Sequence, residues 1–510
     1  TNSSYTFTGL NEKTNYSIKV KVVDTLGRES NVYSLSVTTD AYVLPRVTNV
    51  STSSTSSSIT INVSASGGTG NVVKYYYSKD NGSNYVESTS SSYTFSNLTS
   101  DATFYVKVYV KDSNNRESSV SATSIKTNIK LYDYIKSKYT SQGSNGLYYH
   151  DSSLTNGAGD NSYRFAGASD TVNNYVCFGS TQSPCPTDNL YRIIGVFGDK
   201  VKLIKSDYAT STLLGADGDY SKMYTTNGWD NSSYKENNLA KIAGYTWNYK
   251  NNTTINSENG SNTWSTSLLN KTNLNQNFIT NIGADWAAKV AETTWKVGGN
   301  TFDNIAGQPA KIAYQNEIVN PVTTNTTDNA TTYSAKVGLM YASDYGFAAA
   351  PSAWTANLNT YDGEAIKNVN WMYMGLTEWT ISRYADYAYR VFFVNSTGYV
   401  GKFYANRACG VRPVFYLTSS VNYASGSGTA ADPITINWLT DSFEKTSVKL
   451  EKNEVNSSTY VERFASFFWV IKMLKLYKQV TKKTFLLIVF KKIKIISRKK
   501  SFLVNINIKT

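Results

Sequence analysis

Histidine is almost absent: His150 is the only one among 510 residues, and cysteine occurs three times, at Cys177, Cys185 and Cys409. A single imidazole, in Leu147-Tyr-Tyr-His-Asp151 on an expected strand or turn edge, argues against a Ser-His-Asp or Cys-His catalytic site. Three cysteines and one histidine at these positions do not have the ligand spacing of a zinc site. Asp217-Gly-Asp219 does not follow the spacing of a calcium-binding helix-loop-helix. No metal and no cofactor are therefore expected. Charged residues are scarce, at 17%. No apolar run reaches the ~18–20 residues that span a bilayer as a helix.

Tyrosine is abundant, with 40 copies, and there are 10 tryptophans. Asn, Ser and Thr run throughout. Such a composition, without long Leu/Ala/Glu/Lys periods, favours strands over helices. The plain expectation is that Thr, Tyr and Ser decorate solvent faces of strands. The alternative is a surface built for recognition, with aromatic contact and adaptable hydrogen bonding.

The net charge of +13 belongs to one end. From 441 to 510 basic residues outnumber acidic ones by 11, which leaves +2 on residues 1–440. A basic tail is no sign of a nucleic-acid-binding body, and no nucleic-acid partner is expected. In the tail, Phe464-Ala-Ser-Phe-Phe-Trp-Val-Ile471 and Phe485-Leu-Leu-Ile-Val-Phe490 are short apolar runs among lysines. They suit a disordered segment or the translation of an AT-rich stretch past a frameshift. The other reading is a basic amphipathic segment touching a membrane surface. The chain opens on Thr1 in what reads as the middle of a domain, so a signal peptide is expected to be missing from a fragment.

Cys177 and Cys185 flank a short Gly/Ser/Pro loop. In an exported protein that spacing permits a disulfide, the favoured expectation over a reduced pair. Cys409 is left over and reads as a buried small residue.

An internal repeat organises the first part. Tyr5-Thr-Phe-Thr-Gly-Leu10 matches Tyr93-Thr-Phe-Ser-Asn-Leu98, and Arg28-Glu-Ser30 matches Arg116-Glu-Ser118, both at an offset of 88 residues. Between them, Ile18, Val20 and Val22 alternate with polar residues, as do Val106, Val108 and Val110: a half-buried strand. Asp24-Thr-Leu-Gly27 and Asp112-Ser-Asn-Asn115 carry turn chemistry, as does Asp80-Asn-Gly82. The pattern resembles fibronectin type III domains, with Tyr16 in the tyrosine-corner position and Phe104 replacing it in the second copy. The resemblance implies an all-β sandwich at 41–127, half of another at 1–40, and a spacer role. A linker follows at 128–144.

The second part, 145–436, opens on the strand pair Leu190-Tyr-Arg-Ile-Ile-Gly-Val-Phe197 and Lys200-Val-Lys-Leu-Ile-Lys205. A helix is expected near Ser267–Ile282, with Leu268, Leu269, Phe278, Ile279 and Ile282 on its apolar face. Exposed loops are expected at Asn251–Asn262 and Asn320–Thr332. Its end carries Glu378-Trp-Thr380, Arg390-Val391, Asn406-Arg407 and Gly410-Val-Arg412-Pro413. These residues resemble the C-type-lectin-like fold in its sulfatase-modifying, formylglycine-generating branch. They are closer still to bacterial surface domains that pair a Tyr-Arg-Ile-Ile-Gly-Val-Phe strand with a Gly-Val-Arg-Pro exit. The resemblance implies an α+β domain, with Glu378 and Arg412 holding loops and Trp379 filling the core. The oxidase chemistry of that branch needs a cysteine pair, and only Cys409 lies in this half.

Binding is what remains. Tyr384, Asp386, Tyr387, Tyr389, Asn395, Tyr399, Tyr404 and Asn406 crowd the segment before the exit strand. Lectin-like proteins diversified by retroelements vary such positions to change ligand. The expectation is a non-enzymatic, adhesin-like protein on a cell surface whose partner is a host or environmental glycan or protein. Residues 437–510 form the tail. An enzyme of the sulfatase-modifying class and a purely structural surface component are the alternatives.

Overall fold

A computed structural model describes residues 3–221, 243–249, 259–322, 330–362 and 364–437. The tail expected to be disordered or membrane-associated lies outside these from 438 onward, as do residues 251–258 and 323–329 of the two expected loops.

The first repeat is a hairpin of β1 (Asn15–Val20) and β2 (Tyr33–Thr38). The second is a complete sandwich. One sheet runs β3 (Arg46–Ser54), β4 (Ile59–Ser66), β7 (Ser92–Phe95). The other runs β6 (Val86–Ser88), β5 (Val72–Ser78), β8 (Thr103–Asp112), β9 (Ser121–Lys126). Seven antiparallel strands split three and four are the fibronectin type III-like arrangement. Period two decides which side chains meet. Ile59, Ile61 and Val63 face Val106, Val108 and Val110 across the core, and none of the six is more than 6% exposed.

The 88-residue offset holds atom by atom. Asp24 Oδ1 accepts the amides of Leu26 and Arg28, and Asp112 Oδ1 accepts those of Asn114 and Arg116. Ser30 Oγ accepts the Val22 amide as Ser118 Oγ accepts that of Val110. Thr39 Oγ1 accepts from Thr14 N as Thr127 Oγ1 does from Ala102 N, which carries the repeat on to Thr39 and Thr127. Tyr16 Oη accepts the Asn11 amide at 2.8 Å, so its hydroxyl braces the loop five residues upstream. The packing differs. Val20 and Val22 are 53% and 67% exposed where Val108 and Val110 are buried, because no second sheet covers β1 and β2 among the described residues.

After α1 (Leu131–Ser137) the chain builds one large core. Its central sheet is antiparallel: β10 (Leu147–His150), β11 (Ser162–Phe165), β13 (Leu190–Phe197), β14 (Lys200–Lys205), β19 (Val414–Tyr416), β15 (Val337–Gly338), with β12 (Tyr175–Cys177) also paired to β13. The Ile-Ile-Gly-Val strand is buried on both faces, as its unbroken apolar run requires. A second sheet is β16 (Glu378–Arg383), β17 (Arg390–Val394), β18 (Val400–Tyr404). Helices are short; α2 (Ala342–Ala348) is wholly buried.

Long irregular segments in this half are held by side chains bonded to distant backbone. Trp371 Nε1 donates to Phe165 O, Trp379 to Tyr245 O and Trp247 to Thr380 O, at 2.8–3.0 Å. Buried amides do the same: Asn174 to Ile193 O, Asn273 to Leu214 O, Asn370 to Tyr345 O. Irregular backbone has carbonyls to satisfy once it is buried, and these donors supply the partners. Two expectations therefore change. Ser261 and Asn262, expected in an exposed loop, are fully buried. The helix near 269–281 packs Leu269, Leu274 and Phe278 inward, while Leu268, at its head, is 39% exposed.

Candidate functional site

The crowded segment wraps the edge of the β16–β17–β18 sheet. β17 and β18 form a hairpin in the register Arg390↔Tyr404 to Val394↔Val400. That register separates the eight expected ligand residues into two groups. Tyr384, Asp386, Tyr387, Tyr389, Tyr404 and Asn406 lie at the Arg390 end. Asn395 and Tyr399 lie at the other, four residues along the strand or roughly 13 Å away. Asn395 is a turn former: its Oδ1 accepts from Thr397 N at 3.0 Å and its amide donates to Tyr399 O at 2.8 Å. Tyr399 leans on Phe393.

At the Arg390 end the side chains form a continuous strip. Tyr387 contacts Tyr384 and Tyr389 at centroid separations of 5.8 and 5.6 Å, and Tyr389 stacks on Tyr404 at 5.8 Å. The Arg390 guanidinium lies 4.6 Å from the Tyr404 ring and 5.4 Å from that of Tyr387, and its Nη2 donates to Tyr404 Oη at 3.0 Å. Cation–π contact and a hydrogen bond on one ring fix the guanidinium in place. Lys402 continues the strip: its Nζ donates to Tyr384 Oη at 3.1 Å and sits 4.7 Å from the Phe302 ring.

Exposure divides the group. Tyr387 is 46% exposed and Asp386 is exposed; Tyr389, Tyr404 and Asn406 are half-buried. Tyr384, expected to face outward, is 4% exposed. Its ring packs edge-on to Phe392, and burial, with the Asp386 carboxylate bonded to its hydroxyl, raises its pKa. It supports the strip from below.

Beneath the turn lies Asn262. Its Nδ2 reaches the carbonyls of Tyr384, Tyr387 and Arg390 at 2.9, 3.0 and 3.1 Å, and its own amide donates to Ala388 O at 2.7 Å. Neither Asn262 nor Phe302 carries a local sequence signal, since both come from segments more than 80 residues upstream. Arg390 was visible only as part of the Arg-Val match.

The framework residues sit deeper. Glu378 is held by Arg412, and Trp379 is 1% exposed. Cys177 and Cys185 are joined by a disulfide. Cys409 is buried, with burial first and Glu378 second pushing its thiol pKa well up, so it is no ready nucleophile. His150 is fully buried between Phe347 and Trp354; its Nδ1 accepts the Ala158 amide at 3.1 Å. Burial, helped by the Arg164 charge, lowers its pKa to about 3. Among the described residues no cluster of His, Cys, Asp and Glu could hold a metal ion, and no helix is long and apolar enough to cross a membrane.

No protein-family profile matches the chain, and no curated protein does. Solved structures do. Domains d3-d4 of the rat CD45 extracellular region match at 15% identity over 24% of this chain and 70% of that one, with a TM-score of 0.18. The chicken CNTN1 FN1-FN3 domains match at 19% identity over 24% of this chain and 46% of that one, TM-score 0.15. The PKD1 domain of the Vibrio cholerae metalloprotease PrtV matches at 22% identity over 17% of this chain and 98% of that one, TM-score 0.14. The sandwich is identified by its own strand order.

Proposed function

We propose that the protein is an extracellular surface protein of adhesin type. The sandwich repeats act as spacers, and the domain at 145–436, of C-type-lectin-like architecture, binds a glycan or protein ligand. The observation that carries this reading is the strip Tyr387–Tyr389–Arg390–Tyr404, part-exposed on a turn whose path Asn262 holds. Aromatic faces and a fixed guanidinium recognise the faces and hydroxyls of sugars or the side chains of peptides, and a pre-ordered site loses little entropy on binding.

The same geometry favours binding over catalysis. Both Glu378 oxygens are committed to Arg412. Asp386, the other carboxylate of this segment, is exposed at the turn. A glycosidase needs two carboxyl groups facing one bond.

The test is to print glycans and extracellular proteins as arrays and probe them with the full chain and with Tyr387→Ala and Arg390→Ala variants. Binding by the parent that both variants lose supports the reading. Variants that bind like the parent would sink the site, and a parent that binds nothing would sink the function.

A further inference from the structure

Beneath β14 and α2 lies a lysine–carboxylate pair sealed from water. Lys202 Nζ is 2.5 Å from Asp344 Oδ2, and the two side chains are 1% and 3% exposed. The ammonium is walled by the rings of Tyr341, Tyr416, Phe197 and Trp295, at 4.6, 5.4, 5.6 and 5.8 Å from their centroids. Asp344 is oriented from two sides. The Tyr341 amide donates to its Oδ2 at 3.0 Å, and Arg164 Nη1 lies 3.5 Å from its Oδ1. Arg164 is bonded in turn to Asp160 at 2.6 Å, with the Tyr314 ring 5.2 Å from its guanidinium. A second buried carboxylate, Glu317, accepts the amides of Ala342 and Ser343, each at 3.0 Å, and a hydrogen bond from Ser382 Oγ. It therefore sits on the same turn that presents Asp344.

We infer that Lys202 and Asp344 condense to a side-chain amide, a covalent cross-link between β14 and α2. The requirements are a nucleophile, an electrophile and an oxyanion partner, all excluded from solvent. The Lys202 ammonium gives one proton to Asp344 Oδ2, the oxygen it touches, and the Nζ lone pair attacks Asp344 Cγ. The charge that gathers on Oδ1 is opposed by the Arg164 guanidinium. On collapse the C–N bond stays and a Cγ–O bond breaks. Oδ2 leaves as water, carrying the proton it took first and a second from Nζ. One ammonium and one carboxylate become one amide and one water, with no oxidant or co-reactant.

Three features favour condensation here, although it is unfavourable between free amine and acid in water. Fixed groups at contact distance react with effective molarities of order 10⁵–10⁸ M. The reactants lack the hydration that stabilises a solvated ion pair, and burying two charges is costly. Burial, its largest influence, lowers the Lys202 pKa, which suits a neutral amine.

Intact mass spectrometry of the full chain, reduced and denatured, decides the matter. The expected mass is short by one water, and a tryptic digest yields a branched peptide joining the Lys202 and Asp344 segments. Lys202→Met and Asp344→Ala should restore the full mass. Full mass in the unmutated chain overturns the inference whatever the variants do. So does a missing water that maps elsewhere, as at Asp217-Gly218.

Discussion

The Arg412 guanidinium holds both oxygens of Glu378, Nε at 2.7 Å and Nη2 at 2.6 Å, where neither side chain is more than 2% exposed. Arg412 Nη2 also donates to Met372 O at 2.7 Å. The pair joins the head of β16 to the Gly-Val-Arg-Pro exit. Removing one charge strands the other in a dry site. Glu378→Gln is expected to cost about 3–5 kcal/mol, while a joint Glu378→Leu, Arg412→Met replacement should recover much of that loss. Urea midpoints at constant slope measure both.

The Cys177–Cys185 disulfide closes a short loop at the end of β12. Chain-entropy arguments give a loop of that length roughly 2–3 kcal/mol. Replacing both cysteines by alanine should lower the unfolding midpoint by that amount, and adding reductant to the parent should reproduce it.

Two buried groups make stability depend on pH with opposite signs. His150 has a pKa lowered from 6.5 to about 3, so its contribution is present above 6.5 and is lost as pH falls through about 3. Glu317 is raised from 4.5 to about 7, so its contribution is present below 4.5 and is lost as pH rises through about 7. His150→Gln should flatten the acid side of the stability profile, and Glu317→Gln the neutral side. Unfolding midpoints from pH 3 to 8 on parent and variants, compared by difference, isolate each proton from the other carboxylates.

Tyr387 is the most exposed ring of the strip. Tyr387→Ala should weaken ligand binding about tenfold, the order of 1.4 kcal/mol. It should leave the unfolding midpoint within about 0.5 kcal/mol of the parent, as surface changes do. Asn395→Ala, at the far end of the hairpin, should leave binding at the Arg390 end unchanged. Titration of the array-selected ligand by calorimetry separates the two.

Periodicity and repetition were legible before any coordinates. Val106, Val108 and Val110 announced a strand face, and the Arg-Glu-Ser match at an offset of 88 residues announced a second copy of one fold. Turn residues such as Asp112 were readable because their partners lie two to four residues away. The candidate site was legible as a region and not as a geometry. The sequence places Asn395 and Tyr404 nine residues apart, but a hairpin puts them at opposite ends of one strand pair. Tyr384 reads like its neighbours, yet the register shift between Trp379 and Arg383 alters the alternation just before it. The structural work of asparagine and tryptophan left no pattern. Their partners are backbone carbonyls up to 206 residues away, and every residue type offers one.

Asn262 hydrogen-bonds the 384–390 turn through main-chain oxygens, which are the same whatever side chains the turn carries. The scaffold is thus indifferent to most exchanges at Asp386, Tyr387 and Tyr389. A lineage of such proteins could rewrite those residues, and with them its choice of target, without rebuilding the frame underneath.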